Sequence, residues 1–434
     1  MIQTIDLRGL QPSPAELLAV VPRAGTDVTV ALEVAAELID DVRARGEHAL
    51  LDQAERLDRV RPESIRVPQA HIDEAVAALA PAVHSAILET IRRVRLASAA
   101  QVPPAATTVL APGAEIMQRW QPVGRVGLYV PGGKAVYPSS VVMNVVPAQT
   151  AGVRSIALAS PPQAAFGGRV HPTILAVAGL LGVTEIYAMG GAGAVGAFAY
   201  GVAGIGLDPV QMVTGPGNVY VAAAKRLIRG QAGIDAEAGP TDILVIADAS
   251  ADAVLIAADL VSQAEHDELA ATVLVTADAE LAASVERELV RLAASTTHSE
   301  RVTAAITGAQ SAIVLVDDLA AAADFSNAFG PEHLEIQTEN PEGVLELIEN
   351  AGAIFLGENS PVSLGDYSAG SNHVLPTGGQ ARFSAGLSAS TFLRPQQVVR
   401  YSREALAEVH QNVLALSDAE ALPAHGDAIT ARFA

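Results

Sequence analysis

The sequence has no cysteine. That excludes disulfides, thiolate metal sites and cysteine nucleophiles together. Any metal must be held by histidine, carboxylate and amide groups, and any aldehyde must be oxidised without a covalent thiohemiacetal. The ten histidines are then the main titratable tools near neutral pH. Long apolar runs are also missing: none approaches the ~18–20 residues that a membrane span needs. Positive charge is scarce, with 27 basic against 48 acidic residues and a formal net charge of −21. A field of that sign repels nucleic acid and anionic membrane, so neither is an expected partner. Met1 to Leu10 shows no basic-then-apolar signal pattern, which points to the cytoplasm.

What the chain does have is 434 residues, half of them apolar. That is ample for a core and suggests two or three domains. Residues 1–30 read as a short lead carrying Pro12, Pro14 and Pro22. Apolar residues then recur at three and four through Val30 to Arg59, His71 to Leu79 and Val83 to Ala97, the pattern of helices. Glu115 to Gln121 and Arg125 to Val130 read as strands. From Pro131 strands and helices alternate: strands at Ser155, Glu185, Met212, Ile243, Thr272, Ala312, Leu334 and Ala353, with helices between. This predicts an α/β fold of two Rossmann-like parallel-sheet domains, one inserted in the other. The expected division is 31–128 with 239–381 as the first domain and 129–238 as the insert. The tail from 382 to 434 loses the strand pattern and reads as loop, then helix from Arg403 to Leu416.

The candidate chemistry centres on Ser262-Gln263-Ala264-Glu265-His266, between two apolar strands. On a helix, Gln263 and His266 share a face, and an amide oxygen and an imidazole there can both bind a divalent metal. Alone, such a pair is more often just a polar face. Three later polar clusters add weight: Glu332-His333 after Gly330-Pro331, Asp366 in Gly365-Asp366-Tyr367 with His373, and Glu420 with His425. A carboxylate beside an imidazole can run proton transfer near pH 7. Taken singly, Asp366 reads as a turn residue and Glu332-His333 as surface.

Gly191-Ala192-Gly193-Ala194-Val195-Gly196 matches G-x-G-x-x-G between an expected strand and helix, the setting for a pyrophosphate. Its competing reading is close helix packing by small residues. The acidic partner expected about 20 positions on has only Asp208 as a candidate, in a loop. Tyr129-Val130-Pro131-Gly132-Gly133 and Gly215-Pro216-Gly217-Asn218 are simple turns or helix starts, or amides offered to a nucleotide.

In order along the chain, these segments together with Ala238-Gly239-Pro240-Thr241, Pro331-Glu332-His333-Leu334 and Asn372-His373-Val374-Leu375-Pro376 resemble the histidinol dehydrogenase family. The resemblance runs from about residue 120 to the end. It implies a homodimer, joined through the C-terminal segment, that oxidises L-histidinol to L-histidine with NAD and one zinc per subunit. By that resemblance Gln263, His266, Asp366 and, from the second subunit, His425 hold the zinc. Glu332 and His333 are the catalytic pair, and Thr241, Gln263, His266, His333, Asp366, His373, Glu420 and His425 meet the substrate. Tyr129, position 193 and Asn218 meet NAD. The family usually has Gln where this chain has Gly193, and Thr241 stands where many members have Ser. A zinc hydrolase that needs no nucleotide, a dehydrogenase of another amino alcohol and a non-enzymatic nucleotide-binding protein are the rival readings.

Overall fold

Segments such as Asp242–Ala247 and Ala271–Thr276 are buried along their whole length. Continuous apolar strands of this kind belong to a parallel sheet covered on both faces. The computed structural model describes residues 1–23, 28–132, 136–237 and 239–434. Gly133 and Ala238, both in the segments that carry the resemblance, lie outside the described residues.

In chain order the strands are β1 (Gln3–Asp6), β2 (Ala106–Ala111), β3 (Ala114–Pro122), β4 (Arg125–Tyr129), β5 (Ser155–Ser160), β6 (Ile186–Ala188), β7 (Met212–Thr214), β8 (Gly233–Ile234), β9 (Asp242–Ala247), β10 (Ala271–Thr276), β11 (Ala312–Leu315), β12 (His333–Gln337), β13 (Ala353–Leu356) and β14 (Leu393–Tyr401). One parallel sheet has the order β6-β5-β4-β7-β8 and another β1-β11-β10-β9-β12-β13. Numbered from β4 and from β9, both run 3-2-1-4-5, with β1 added at the edge of the larger sheet. The fold is therefore α/β with two doubly wound sheets, the smaller one lying in sequence between β1 and β9.

The grouping of the outlying segments differs from the expected one. The lead supplies β1, which pairs with β11. The helices Val28–Arg45, Gln69–Ala77 and Pro81–Ala100 pack on helices of the five-stranded sheet, not on the 239–381 unit. Their apolar faces complete the two clusters that sandwich that sheet. In the tail, β14 pairs antiparallel with β3, and β3 with β2. A strand was not expected there because Pro395 and the polar Arg394, Gln396 and Gln397 interrupt the pattern. On an edge strand a missing N–H and a solvated face are both tolerated.

No single described helix is long and apolar enough to cross a membrane. The bent pair Gln69–Ala77 and Pro81–Ala100 has the length, but its buried side faces the helices Pro172–Leu180 and Pro138–Ala151.

Candidate active site

At the N-terminal ends of β9 and β12 the six-stranded sheet brings a group of polar residues together. Glu332, His333 and Asp242 are all nearly inaccessible, against the surface reading of an adjacent Glu-His pair. The Glu332 carboxylate accepts from the Thr241 hydroxyl, and from the Asp242 N–H at 3.1 Å. The Glu332 N–H donates back to Asp242 Oδ1 at 2.7 Å. Arg23 pairs with the other oxygen of Asp242 at 2.5 Å, so that buried aspartate fixes the start of both strands. Burial pushes Glu332 up to about 7, with the neighbouring His333 acting against that rise. A carboxylate so placed exchanges its proton near neutrality.

Gln263 is buried in the last turn of the helix Ala253–Ala264, and its Nε2 donates to Thr241 Oγ1 at 2.5 Å. That leaves the amide oxygen facing away from Thr241. The helix ends at Ala264, so His266 does not share a helical face with Gln263 as expected. It lies beside it because the chain turns back, with His266 N–H donating to the Gln263 carbonyl at 3.2 Å. Asp366 lies in a short helix, Val362–Tyr367, and not in an Asx turn. Pro361 opens that helix with an extended backbone, and Gly365 leaves room for the Phe355 ring.

The three histidines of this region share one tautomer. His333 Nδ1 meets the Asp242 carbonyl at 3.0 Å, His266 Nδ1 the Gln263 carbonyl at 3.3 Å, and His373 Nδ1 the Asp366 carbonyl at 3.1 Å. A carbonyl only accepts, so each Nδ1 carries the proton and each Nε2 is left with a lone pair. His373 Nε2 accepts from the Ser140 hydroxyl at 3.0 Å. Burial holds His373 below the ordinary histidine range, Asp366 opposes this, and His333 and His266 are near enough to add to the lowering. Ser140 belongs to the helix that follows β4. The cluster therefore sits where the N-terminal edge of one sheet meets an element of the other.

Glu420 and His425 do not join it within one chain. Both are exposed, in and beside the C-terminal helices Arg403–Ala419 and Pro423–Thr430, which pack on each other. Among the described residues neither has a hydrogen bond or ion pair to the cluster. Among the described residues no three His, Cys, Asp or Glu side chains form a metal cage by themselves. Gln263 with His266 and Asp366 offers an incomplete donor set of oxygen, nitrogen and oxygen. Its chemistry still suits zinc: a neutral imidazole whose Nδ1–H is tied to a carbonyl is the form that ligates through Nε2.

On the five-stranded sheet, Tyr129 ends β4 and its buried hydroxyl accepts from Gly191 N–H at 3.1 Å. Gly215, at φ +114°, lies so close to the Tyr129 carbonyl that no Cβ would fit. Asn218 caps the helix Val219–Leu227, accepting from Tyr220 and Val221 N–H at 3.1 and 3.2 Å, and is itself exposed. These positions flank the point between β4 and β7 where the strand order reverses, the usual ligand crevice of such sheets. The G-x-G-x-x-G run has a different cause from the dinucleotide fingerprint. Gly191 takes φ +61°, a Cβ on Gly193 would overlap the Gln53 carboxamide, and one on Gly196 would press on Ile39 at 3.1 Å. The second and third glycines thus let helices pack closely, and Gly193 has only backbone to offer a cofactor.

Asp242, Ser140 and Gln53 were not singled out in the sequence. Asp242 had a signal, a lone charge opening the apolar run Ile243 to Ala247. Ser140 and Gln53 had none.

β12 also carries an uncommon buried polar file, His333, Glu335 and Gln337, on alternate residues. Glu335 accepts from Val362 N–H at 2.8 Å and from Gln337 Nε2 at 3.0 Å. Burial raises both Glu335 and its neighbour Asp259 above the ordinary carboxylate range. The folded chain therefore keeps protons that the unfolded chain releases above its ordinary Glu pKa. Stability falls as pH rises from there through the raised folded value. Glu335→Gln is expected to flatten the fall of melting temperature between pH 5 and 9 by on the order of a few degrees. An unchanged slope in the variant would refute this.

Two doubly wound sheets, with a buried carboxylate–histidine pair and nitrogen and oxygen donors gathered where they meet, place the chain among α/β enzymes. The chain belongs to the histidinol dehydrogenase family, oxidoreductases of the final step of histidine biosynthesis: the family model for histidinol dehydrogenase matches residues 21–433. A histidinol dehydrogenase from Leifsonia xyli subsp. xyli is 66% identical over 432 residues, covering 100% of this chain and 99% of that one. One from Mycobacterium tuberculosis is 56% identical over 436 residues, covering 100% and 98%. The crystal structure of histidinol dehydrogenase from Elizabethkingia anophelis superposes with a TM-score of 0.94 at 30% identity, covering 100% of this chain and 98% of that one.

Proposed function

We propose that this chain oxidises L-histidinol to L-histidine in two NAD-dependent steps, as a cytoplasmic homodimer with one zinc per subunit. The observation that carries the reading is that His266, His333 and His373 each set Nδ1 against a backbone carbonyl, which turns the Nε2 of His266 and His333 toward other partners while that of His373 accepts from Ser140. Gln263, His266 and Asp366, with His425 of the partner subunit, would hold the zinc. When bound, zinc would supply a Lewis-acidic template that fixes the substrate's nitrogen groups. NAD, when bound, would take the hydride; Tyr129, the backbone at Gly193 and Asn218 are its contacts.

His333 Nε2 removes the hydroxyl proton as hydride leaves the carbinol carbon, giving an aldehyde. With no cysteine to trap it, the aldehyde adds water. Glu332, poised near neutrality by burial, takes the proton from that water while His333 gives its proton to the aldehyde oxygen, which forms the diol and leaves His333 free to act again. His333 then takes a proton from the resulting diol as the second hydride leaves, giving the acid. Thr241 donates to Glu332 and receives from Gln263, so it aligns the base with the donor set. His373 and Glu420 complete the substrate contacts.

The exposed apolar residues Val109, Leu110, Val399, Leu416 and Leu422, on the antiparallel sheet and around the C-terminal helices, support a second copy of the chain as the partner. The test is NADH formed per L-histidinol consumed, before and after chelation. Two NADH per substrate, lost on chelation and regained with zinc, is expected. No NADH from L-histidinol would overturn the reading.

A further inference from the structure

Doubly wound sheets that bind NAD commonly recognise the ribose through an acid at the end of the second strand. Here the second strand is β5, which ends at Ser160 and runs into Pro161 and Pro162 without an acid. Asp208 cannot serve. Its carbonyl accepts from Arg125 Nε at 3.2 Å, and Arg125 begins β4, so Asp208 lies at the opposite edge of the sheet.

Another carboxylate reaches the vacant position from outside the sheet. Asp58 ends the single π-turn Ala54–Asp58, where Arg59 reverses the chain at φ +58°. A Cβ built on Gly190 would lie 3.0 Å from Pro161 Cβ and 3.5 Å from Asp58 Oδ2. The carboxylate therefore stands at Gly190, the N-cap of the helix Gly191–Tyr200, and Pro161, the residue that follows β5, packs on the same glycine. Tyr129, whose hydroxyl binds that helix, feels its charge. Asp58 is half-buried, and among the described residues it has no hydrogen bond or ion pair. The nearby Arg61 is engaged elsewhere, with Asp52 and Glu55. Burial alone raises Asp58 to about 6, as expected of a carboxylate whose donors are still to come.

We propose that Asp58 accepts the ribose diol of the nucleotide, and so makes this enzyme prefer NAD to its 2′-phosphorylated form. A carboxylate offers two acceptors to two adjacent O–H donors, and it repels a phosphate in the same place. The assignment rests on the NAD-dependent reading above.

The test varies NAD and NADP at saturating L-histidinol in the wild-type protein, Asp58→Asn and Asp58→Ala. Binding of L-histidinol without nucleotide and melting temperature are followed in parallel. Both variants are expected to raise KM for NAD by ~10–100-fold while kcat stays within about threefold. Their preference for NAD over NADP falls by about tenfold or more. L-Histidinol binding and melting temperature stay the same. An unchanged KM for NAD, or an equal loss with both nucleotides, overturns the assignment alone. Wild-type enzyme that reduces neither nucleotide overturns the assignment and the parent reading together.

Discussion

Glu332→Gln is expected to arrest the reaction halfway: a burst of one NADH per site from L-histidinol, then steady turnover lowered by about 10²–10⁴. The first hydride needs a proton taken from the hydroxyl, which is assigned to His333. The second needs water added to the aldehyde, which is assigned to Glu332. Glutamine keeps an acceptor for the Thr241 hydroxyl and the Asp242 N–H, so the fold and the first oxidation survive. It cannot take a proton. His333→Asn removes the base of both oxidations and should abolish the burst as well. The pH profile supplies the sign. Glu332 works as the anion and titrates at about 7, so the wild-type water step weakens as pH falls through that value, and the glutamine variant lacks this limb. Rapid-mixing measurements of NADH at 340 nm, on the order of one site-equivalent per burst, decide the matter. Sustained formation of two NADH per substrate by Glu332→Gln at the wild-type rate would sink the assignment.

Much of the fold was legible in the sequence because burial on two faces leaves strands apolar throughout. β5, β7, β9 and β10 stand out as short β-branched or apolar runs between turn residues. β14 did not, because an edge strand with one solvated face has no such constraint, and Pro395 looks like a break. β1 was hidden for a related reason: four residues, largely exposed, are held by pairing with β11 and not by their own apolar content. Among the polar residues, Glu332 and His333 were found through an unusual adjacency. Their burial was not, since it arises from β9 and β13 closing on both sides of β12. The spacing of Gln263 and His266 suggested a shared helical face. The proximity is real but comes from a chain reversal past Ala264. Gly193 was readable only as a departure. Its cause, the Gln53 carboxamide, lies 140 residues away in sequence, on a helix whose packing no local pattern encodes.

Mixing Glu332→Gln and His425→Ala subunits, each inactive as a homodimer, is expected to restore about a quarter of wild-type activity after equal subunits are exchanged to equilibrium. The reason is geometric. Gln263, His266 and Asp366 lie near Glu332 and His333, yet among the described residues they do not amount to a closed cage. His425 and Glu420 are exposed and unattached to that cluster, on a helical pair that packs mainly on itself. If a second copy brings its C-terminal helices to this cluster, each site contains one body and one foreign His425. In a mixed dimer, one site then receives both defects and the other receives none. Half of the dimers are mixed and half of their sites are intact, which gives the quarter. Zinc content should follow the same rule: His425→Ala homodimers lose metal, whereas Glu332→Gln homodimers keep it. If each site is instead built within a single chain, every subunit in the mixture carries a defect of its own, and no activity returns at any mixing ratio.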